Sequence, residues 1–427
     1  MRAPIWLAVW VVAAALSAAG CDWRDFDHIQ ADTPVLVVSP PSGYSAPSDF
    51  GRVILPLTPP TDGSAAARYL GAAIDQTGLA LVQIDAKGQA SSQNVTSPAL
   101  DNLDGEAITA MAEAIGGGEV LLGSPTAAGG SLLTLDLTSL VVTSFVLSAE
   151  PQFGMGVAAG SLHGLGTHDW VAVSGSALHV FIDGTTTDLS IPDSAACPLA
   201  VSTSLPSAEQ INRAVVIGAL MSGGLQVAVG TPVISGRGSV SLFAVDATAT
   251  TVSCALMLTA PMAADSRFGQ ALAIGDFDGD GNADLLVGAP PSRAYLYRGP
   301  LVAGAAPAAT ITDTTTGGDF GAALTALNLD GKTGDEALIA DPDATVGGQA
   351  EAGSVAIFTG ATLGTSMMPG LSDHAPNSGE VYGSAVAALP FCATSPCPAK
   401  PPLLPLVGAA SEIFTYFALG QADPRTK

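Results

Sequence analysis

Charge is scarce in this chain. Asp, Glu, Lys and Arg make up 12% of the 427 residues, and only 14 side chains are Lys or Arg against 38 acidic ones, giving a formal charge of −24. So little positive charge excludes a nucleic-acid partner, whose phosphates most of the surface would repel. So few charges overall also argue against long solvated helices. Long apolar runs are missing as well. Mean hydropathy is +0.42, yet beyond the N-terminus no uncharged apolar run of about 18 residues lacks turn formers, so no membrane-spanning helix is expected. The five cysteines form no paired CxxC knuckles, which speaks against a thiolate metal site. There is no GxSxG elbow and no phosphate-binding Gly loop followed by Lys-Ser/Thr. The five histidines, His28, His163, His168, His179 and His374, have neither HxH nor HxxxH spacing and read as turn or surface residues.

What the chain has in quantity is 49 glycines and 30 prolines among 48% hydrophobic residues, the composition of many short strands joined by tight turns. The length would hold two or three average domains, or one large all-β domain of repeats.

The first residues, MRAPIWLAVWVVAAALSAAGC, run from a basic start at Arg2 through an apolar segment to small residues before Cys21. This is the pattern of a secretory signal. Ala18-Ala19-Gly20-Cys21 resembles a bacterial lipobox, with Ala18 where such boxes usually carry Leu. The resemblance implies cleavage after residue 20, acylation of Cys21, a tether over 21–33, and a membrane-anchored lipoprotein of the bacterial cell envelope, at the outer membrane or cell surface. An ordinary cleaved signal is the alternative. Four cysteines then remain for an oxidising compartment. Cys392 and Cys397 enclose only ATSP and are expected to staple one loop, which leaves Cys197 for Cys254.

The segment FGQALAIGDFDGDGNADLLVGAP, 268–290, aligns without a gap on FGAALTALNLDGKTGDEALIADP, 320–342, and on FGMGVAAGSLHGLGTHDWVAVS, 153–174. Weaker copies of its second strand bring the count to seven, with a shared small position at Gly71, Gly123, Val173, Gly230, Gly288, Ala340 and Gly408. Spacings of 50 to 68 residues leave room for four strands per unit. The expected fold is all-β, a seven-bladed propeller over 34–420 followed by a tail over 421–427. The last unit lacks a fourth strand, and the spare strand PVLVV at 34–38 is expected to complete it and close the ring.

Phe268-Gly269, the loop GDFDGDGNAD and the closing VGAP resemble the FG-GAP repeats of integrin α-subunit propellers and of many bacterial surface proteins. The resemblance implies a rigid disc for binding partners, with Ca²⁺ held in aspartate loops. In the loop itself Asp276, Asp278, Asp280 and Asp284 occupy positions 1, 3, 5 and 9, with Asn282 at 7 as a fifth candidate ligand. Hard oxygen donors at alternate positions suit Ca²⁺ as a structural ion. A metal-free Asp-Gly hairpin and a catalytic carboxylate pair are the alternatives. The sixth unit offers Asn328, Asp330, Lys332 and Glu336, where a lysine stands in the cation's place. The third offers Ser161, His163, Leu165 and Asp169, a poor set for a hard cation.

The function expected is non-enzymatic: a lipid-anchored propeller binding a protein or a polysaccharide, touching the membrane only through its anchor. Arg237, Arg293, Asp341, Asp343 and Glu351, in turns between second and third strands, are the candidate ligand-binding residues on the face opposite the aspartate loop. A glycan lyase or hydrolase using the central funnel, and an envelope assembly scaffold, are the competing readings.

Overall fold

The second strand Asp284–Ala289 is buried at every residue, without the in–out alternation of a sheet that has one wet face. Its two faces pack on different neighbours. Leu285 and Val287 join Ala228, Val240 and Leu242 of the preceding sheet, whereas Leu286 joins Phe320, Ala337 and Ile339 of the following one. The same sharing recurs around the molecule, so that each junction between adjacent sheets holds its own apolar cluster. An apolar strand in every repeat is what a stack of sheets in a ring requires.

The computed structural model describes residues 35–41, 50–72, 78–101, 103, 107–164, 168–200, 213–233, 236–246, 248, 250–313, 318–329, 333–358, 378–392, 397 and 401–417. Cys21 and the expected signal segment, tether and tail lie outside them. Seven antiparallel sheets form a seven-bladed propeller with almost no helix. Blade five, for example, runs Leu272–Gly275, Asp284–Ala289, Arg293–Tyr297 and Ala309–Thr312 from centre to rim. Blade six shows three strands among the described residues, Ala323–Leu327, Glu336–Asp341 and Ser354–Phe358. The first strands of all seven blades touch one another in a closed ring and line a central cavity of about 360 Å³.

Closure is made by Val35–Val38, which pairs antiparallel with Ile413–Tyr416 in the register Val35↔Tyr416 to Val38↔Ile413 and supplies the outermost strand of blade seven. The expected closure is therefore the observed one.

Adjacent blades meet at a glycine joint. Gly269, at φ +90°, donates its N–H to the carbonyl of Gly288 in its own blade at 2.9 Å. Its carbonyl lies against Gly230 of blade four, so closely that a Cβ there would be 1.8 Å from the oxygen. Gly123 meets Gly154, Gly288 meets Gly321, and Gly408 meets Gly51 in the same way. The Phe of each Phe-Gly pair fills the adjoining cluster: Phe50, Phe153, Phe268 and Phe320 are all buried.

Disulfides tie the rim and one loop. Cys197, just past the outer strand of blade three, bonds Cys254 in the outer strand Val252–Thr259 of blade four. Cys392 bonds Cys397 between the first and second strands of blade seven.

Because Val38 is 7% exposed and Val37 44%, the closing strand can be tested face by face. Val38→Asp is expected to lower unfolding free energy by about 3 kcal/mol, and Val37→Asp by less than about 1 kcal/mol, in urea denaturation. Equal effects would mean that the strand is not seated in this register.

Candidate functional site

The loop between the first and second strands of blade five folds on its own carboxylates. Asp276 accepts N–H groups from Asp280 at 3.0 Å and Gly281 at 2.9 Å, and Asp278 accepts from Asp280 at 3.2 Å. These bonds draw the chain into a tight turn that brings oxygens of Asp276, Asp278 and Asp284 within 4.8 Å of one another. Asp280 does not join that group. The Asp280 carboxylate instead accepts from the Asn282 backbone N–H at 2.8 Å and its Nδ2 at 3.0 Å, and these bonds to Asn282 hold its pKa below the usual carboxylate range. Opposite the group, Arg298 from the turn after the third strand places Nε 3.0 Å from Asp278 Oδ2, its own side chain 57% exposed.

Asp284 differs from its neighbours. It is fully buried and its two oxygens accept the N–H groups of Phe277 at 3.0 Å and Gly299 at 2.9 Å. Burial raises its pKa, the N–H of Gly299 opposes the rise, and the charges of Asp278 and Asp280 add to it. The same clamp appears in other blades. Asp169 accepts from Leu162 at 2.8 Å and from Asp183 at 3.0 Å, and Glu336 accepts from Leu329 at 2.7 Å. Position 9 of the loop thus carries a buried acid that ties the hairpin whether or not positions 1, 3 and 5 are acidic. Its recurrence as Asp169, Asp284 and Glu336 was visible in the aligned repeats, but its role as a backbone acceptor was not.

The blade-six loop packs against this turn: Asp335 accepts from the Asp276 N–H at 2.9 Å and donates its own N–H to the Asp276 carbonyl at 2.8 Å. Of the blade-six positions, Asn328 and Glu336 are described, with Asn328 Nδ2 donating to the Gly334 carbonyl at 3.3 Å; Asp330 and Lys332 lie outside the described residues.

The reading of the histidines as surface or turn residues needs correction for His179, which lies buried in the strand Ala177–Phe181. His179 is 3% exposed, with Nδ1 2.9 Å from Asp188 and Nε2 3.1 Å from Glu150. Burial works against its charged form, but bonding to Asp188 and the charges of Asp188 and Glu150 prevail and raise its pKa. His163 is buried in the blade-three loop, its Nδ1 2.8 Å from Asp169 Oδ2. Spacing could not reveal the partners of His179, which stand 9 and 29 residues from it.

On the opposite face, Arg237 is exposed and its Nη1 donates to the Ala260 carbonyl at 3.1 Å. Arg293 pairs with Asp265 at 2.8 Å, and the other oxygen of Asp265 accepts from the Tyr295 hydroxyl. Asp341 is 2% exposed and accepts the N–H of Asp319, which in turn takes both arms of Arg267 at 2.6 and 2.7 Å. Asp343 lines the central cavity and Glu351 is exposed. Arg293 and Asp341 are thus committed to contacts inside the protein. The cavity wall is mostly Ala, Val and Leu, with Arg52, Arg213, Arg267, Asp319 and Asp343 among its polar residues.

Residues 268–300 match the family model for the FG-GAP repeat. Integrin alpha-IIb of Homo sapiens is 36% identical over 121 residues, which cover 24% of this chain and 11% of that protein. The chain therefore spans about a tenth of that relative's length. Among solved structures, the β-propeller domain of Myceliophteria thermophila Cps50 (Swd1) superposes with a TM-score of 0.51 at 13% identity, over 90% of this chain and 100% of that one. The Dos1 propeller has a TM-score of 0.44 at 10% identity, over 83% and 75% of the two chains. The chain carries an FG-GAP repeat in a propeller fold, and the Cps50 likeness speaks for the fold alone.

Burial pushes the Asp341 carboxyl up to about 6; the Asp319 N–H opposes the shift, and the charges of Asp313, Asp319 and Asp343 add to it. An unfolded aspartate titrates at ~3.9, so the folded state binds this proton more tightly. The stability it confers is complete below about pH 4 and lost as pH rises through 6. Asp341→Asn is expected to melt like the wild type near pH 4 and at a higher temperature near pH 7.5. A variant that melts lower than the wild type at the higher pH would contradict this.

Proposed function

We propose that the protein is a non-enzymatic, lipid-anchored propeller of the bacterial cell envelope that binds a protein or polysaccharide partner, with Ca²⁺ as a structural ion in the blade-five loop. The observation that carries the reading is the convergence of Asp276, Asp278 and Asp284 within the segment that matches the FG-GAP repeat.

The donor set fits calcium. Oxygens within 4.8 Å of one another can share one ion bonded at roughly 2.4 Å, and carboxylates are the hard donors it prefers. Asp276, Asp278 and Asp284 would hold it, and Asp280 and Asn282 complete the set once their mutual cap opens. The ion supplies neutralisation of packed negative charge and no reaction. Arg298 supplies part of that neutralisation already, and being largely exposed it can move aside at little cost.

Non-enzymatic binding is supported by the absence of a catalytic motif in the sequence. The FG-GAP propeller is consistent with a protein-binding disc. The partner would meet the face opposite the metal loop, where Arg237 and Glu351 are exposed. Cys21, beyond the described residues, would carry the lipid.

Calorimetry is expected to find one Ca²⁺ bound, with a melting temperature that rises as metal is added. Asp278→Ala should lose that response yet melt like chelated wild type. Asp284→Ala should be less stable by about 1–3 kcal/mol even in chelator, because two backbone N–H groups lose their acceptor. No binding at millimolar calcium would overturn the metal reading. Crosslinking on intact cells should capture a partner that Arg237→Ala with Glu351→Ala loses; undiminished capture would move binding to another surface.

A further inference from the structure

Blade three repeats the geometry of the calcium loop with its charges exchanged. Gapless alignment puts His163 where blade five has Asp278, Asp169 where it has Asp284, and Asp183 where it has Arg298. The contacts follow the alignment. Asp278 faces Arg298 at 3.0 Å, and His163 Nε2 faces Asp183 Oδ1 at 3.3 Å. We propose that His163 and Asp183 bind a divalent transition metal of the zinc class, with Asp169 orienting the imidazole.

The His163 ring is 1% exposed, so its nitrogens have no water to turn to. Nδ1 is 2.8 Å from Asp169 Oδ2. A carboxylate in that position favours the tautomer with the proton on Nδ1, leaving the lone pair on Nε2, as in carboxylate–histidine–zinc arrangements. Nε2 has no hydrogen-bond partner although Asp183 Oδ1 lies 3.3 Å away. That separation equals the roughly 3.3 Å edge between two ligands of a tetrahedral ion with bonds near 2.0 Å. Asp169 serves both ligands, since its other oxygen accepts the Asp183 N–H at 3.0 Å.

The donor types choose the metal. An imidazole nitrogen with a carboxylate suits zinc and its neighbours, whereas calcium seeks oxygen alone. Beside Asp183, a Cβ on Gly184 would lie 2.8 Å from His168 Nε2. That nitrogen is also buried without a hydrogen bond, 3.6 Å from Glu119 Oε2. A second imidazole thus borders the turn that carries Asp183. Asp183 itself is 46% exposed, so the remaining coordination positions open to water or to a side chain of a bound partner.

Zinc titration by calorimetry, run with saturating calcium so that blade five is occupied, tests the assignment. The wild-type protein should bind one Zn²⁺ saturably. His163→Gln and Asp183→Asn should each weaken it at least about tenfold, no less than the loss of a partner that only orients a ligand, while Asp278→Asn leaves it unchanged. Asp183→Asn alters a half-exposed side chain and keeps the proposal testable if His163→Gln fails to fold. X-ray absorption of the zinc complex should show nitrogen and oxygen neighbours near 2.0 Å. The proposal is overturned if no saturable binding occurs, if Asp183→Asn binds as the wild type does, or if Asp278→Asn weakens zinc as much as Asp183→Asn does.

Discussion

Seven sheets can lie side by side around one axis only if their backbones approach closely at the hub, and at four of the seven junctions a glycine joint permits this. At Gly230, Gly288 and Gly408 the carbonyl of the next blade's Phe-Gly pair occupies the space of a β-carbon. The N–H of that same glycine in blades five and six, Gly269 and Gly321, bonds back to its own second strand. One residue therefore registers two blades at once. The adjacent Phe fills the cluster between them, so backbone fit and apolar burial act at the same point. The Phe-Gly and Gly-Ala-Pro ends of the repeat are two sides of this one contact.

With the hub held by glycine at several junctions and the hairpins of blades three, five and six tied by the buried acid at position 9, the remaining loop positions differ from blade to blade. Blade five fills them with aspartates, blade three with a histidine facing an acid from the following turn, and blade seven replaces the loop with a disulfide. Blade four, with a shorter hairpin, uses an amide: Gln226 Oε1 accepts the Met221 N–H at 2.8 Å.

This division explains what could be read from the chain before its structure. The blade count was legible because every second strand is buried on both faces and so recurs as an apolar run ending in a small residue. The closing strand was legible because the final unit is one strand short. Contacts between segments distant in sequence were not. Asp284 counts as one more carboxylate in a run of four, yet its oxygens serve Phe277 and Gly299. Arg293 looks like an exposed turn residue but pairs with Asp265. His163 looks isolated because its partner Asp183 stands in another turn. Aligning the turns after the third strands, Arg298-Gly299 on Asp183-Gly184, would have exposed the exchange of charge.

The central claim is that calcium orders one loop of a scaffold that is already complete without it. Hydrogen exchange on the protein with calcium and with chelator tests this most directly, because it resolves segments. The account predicts added protection over residues 276–284 and in the adjoining blade-six loop, where Asp335 is bonded to Asp276, with the second strands of all seven blades unchanged. Protection that rises across every blade, or none in the 276–284 segment, would contradict it.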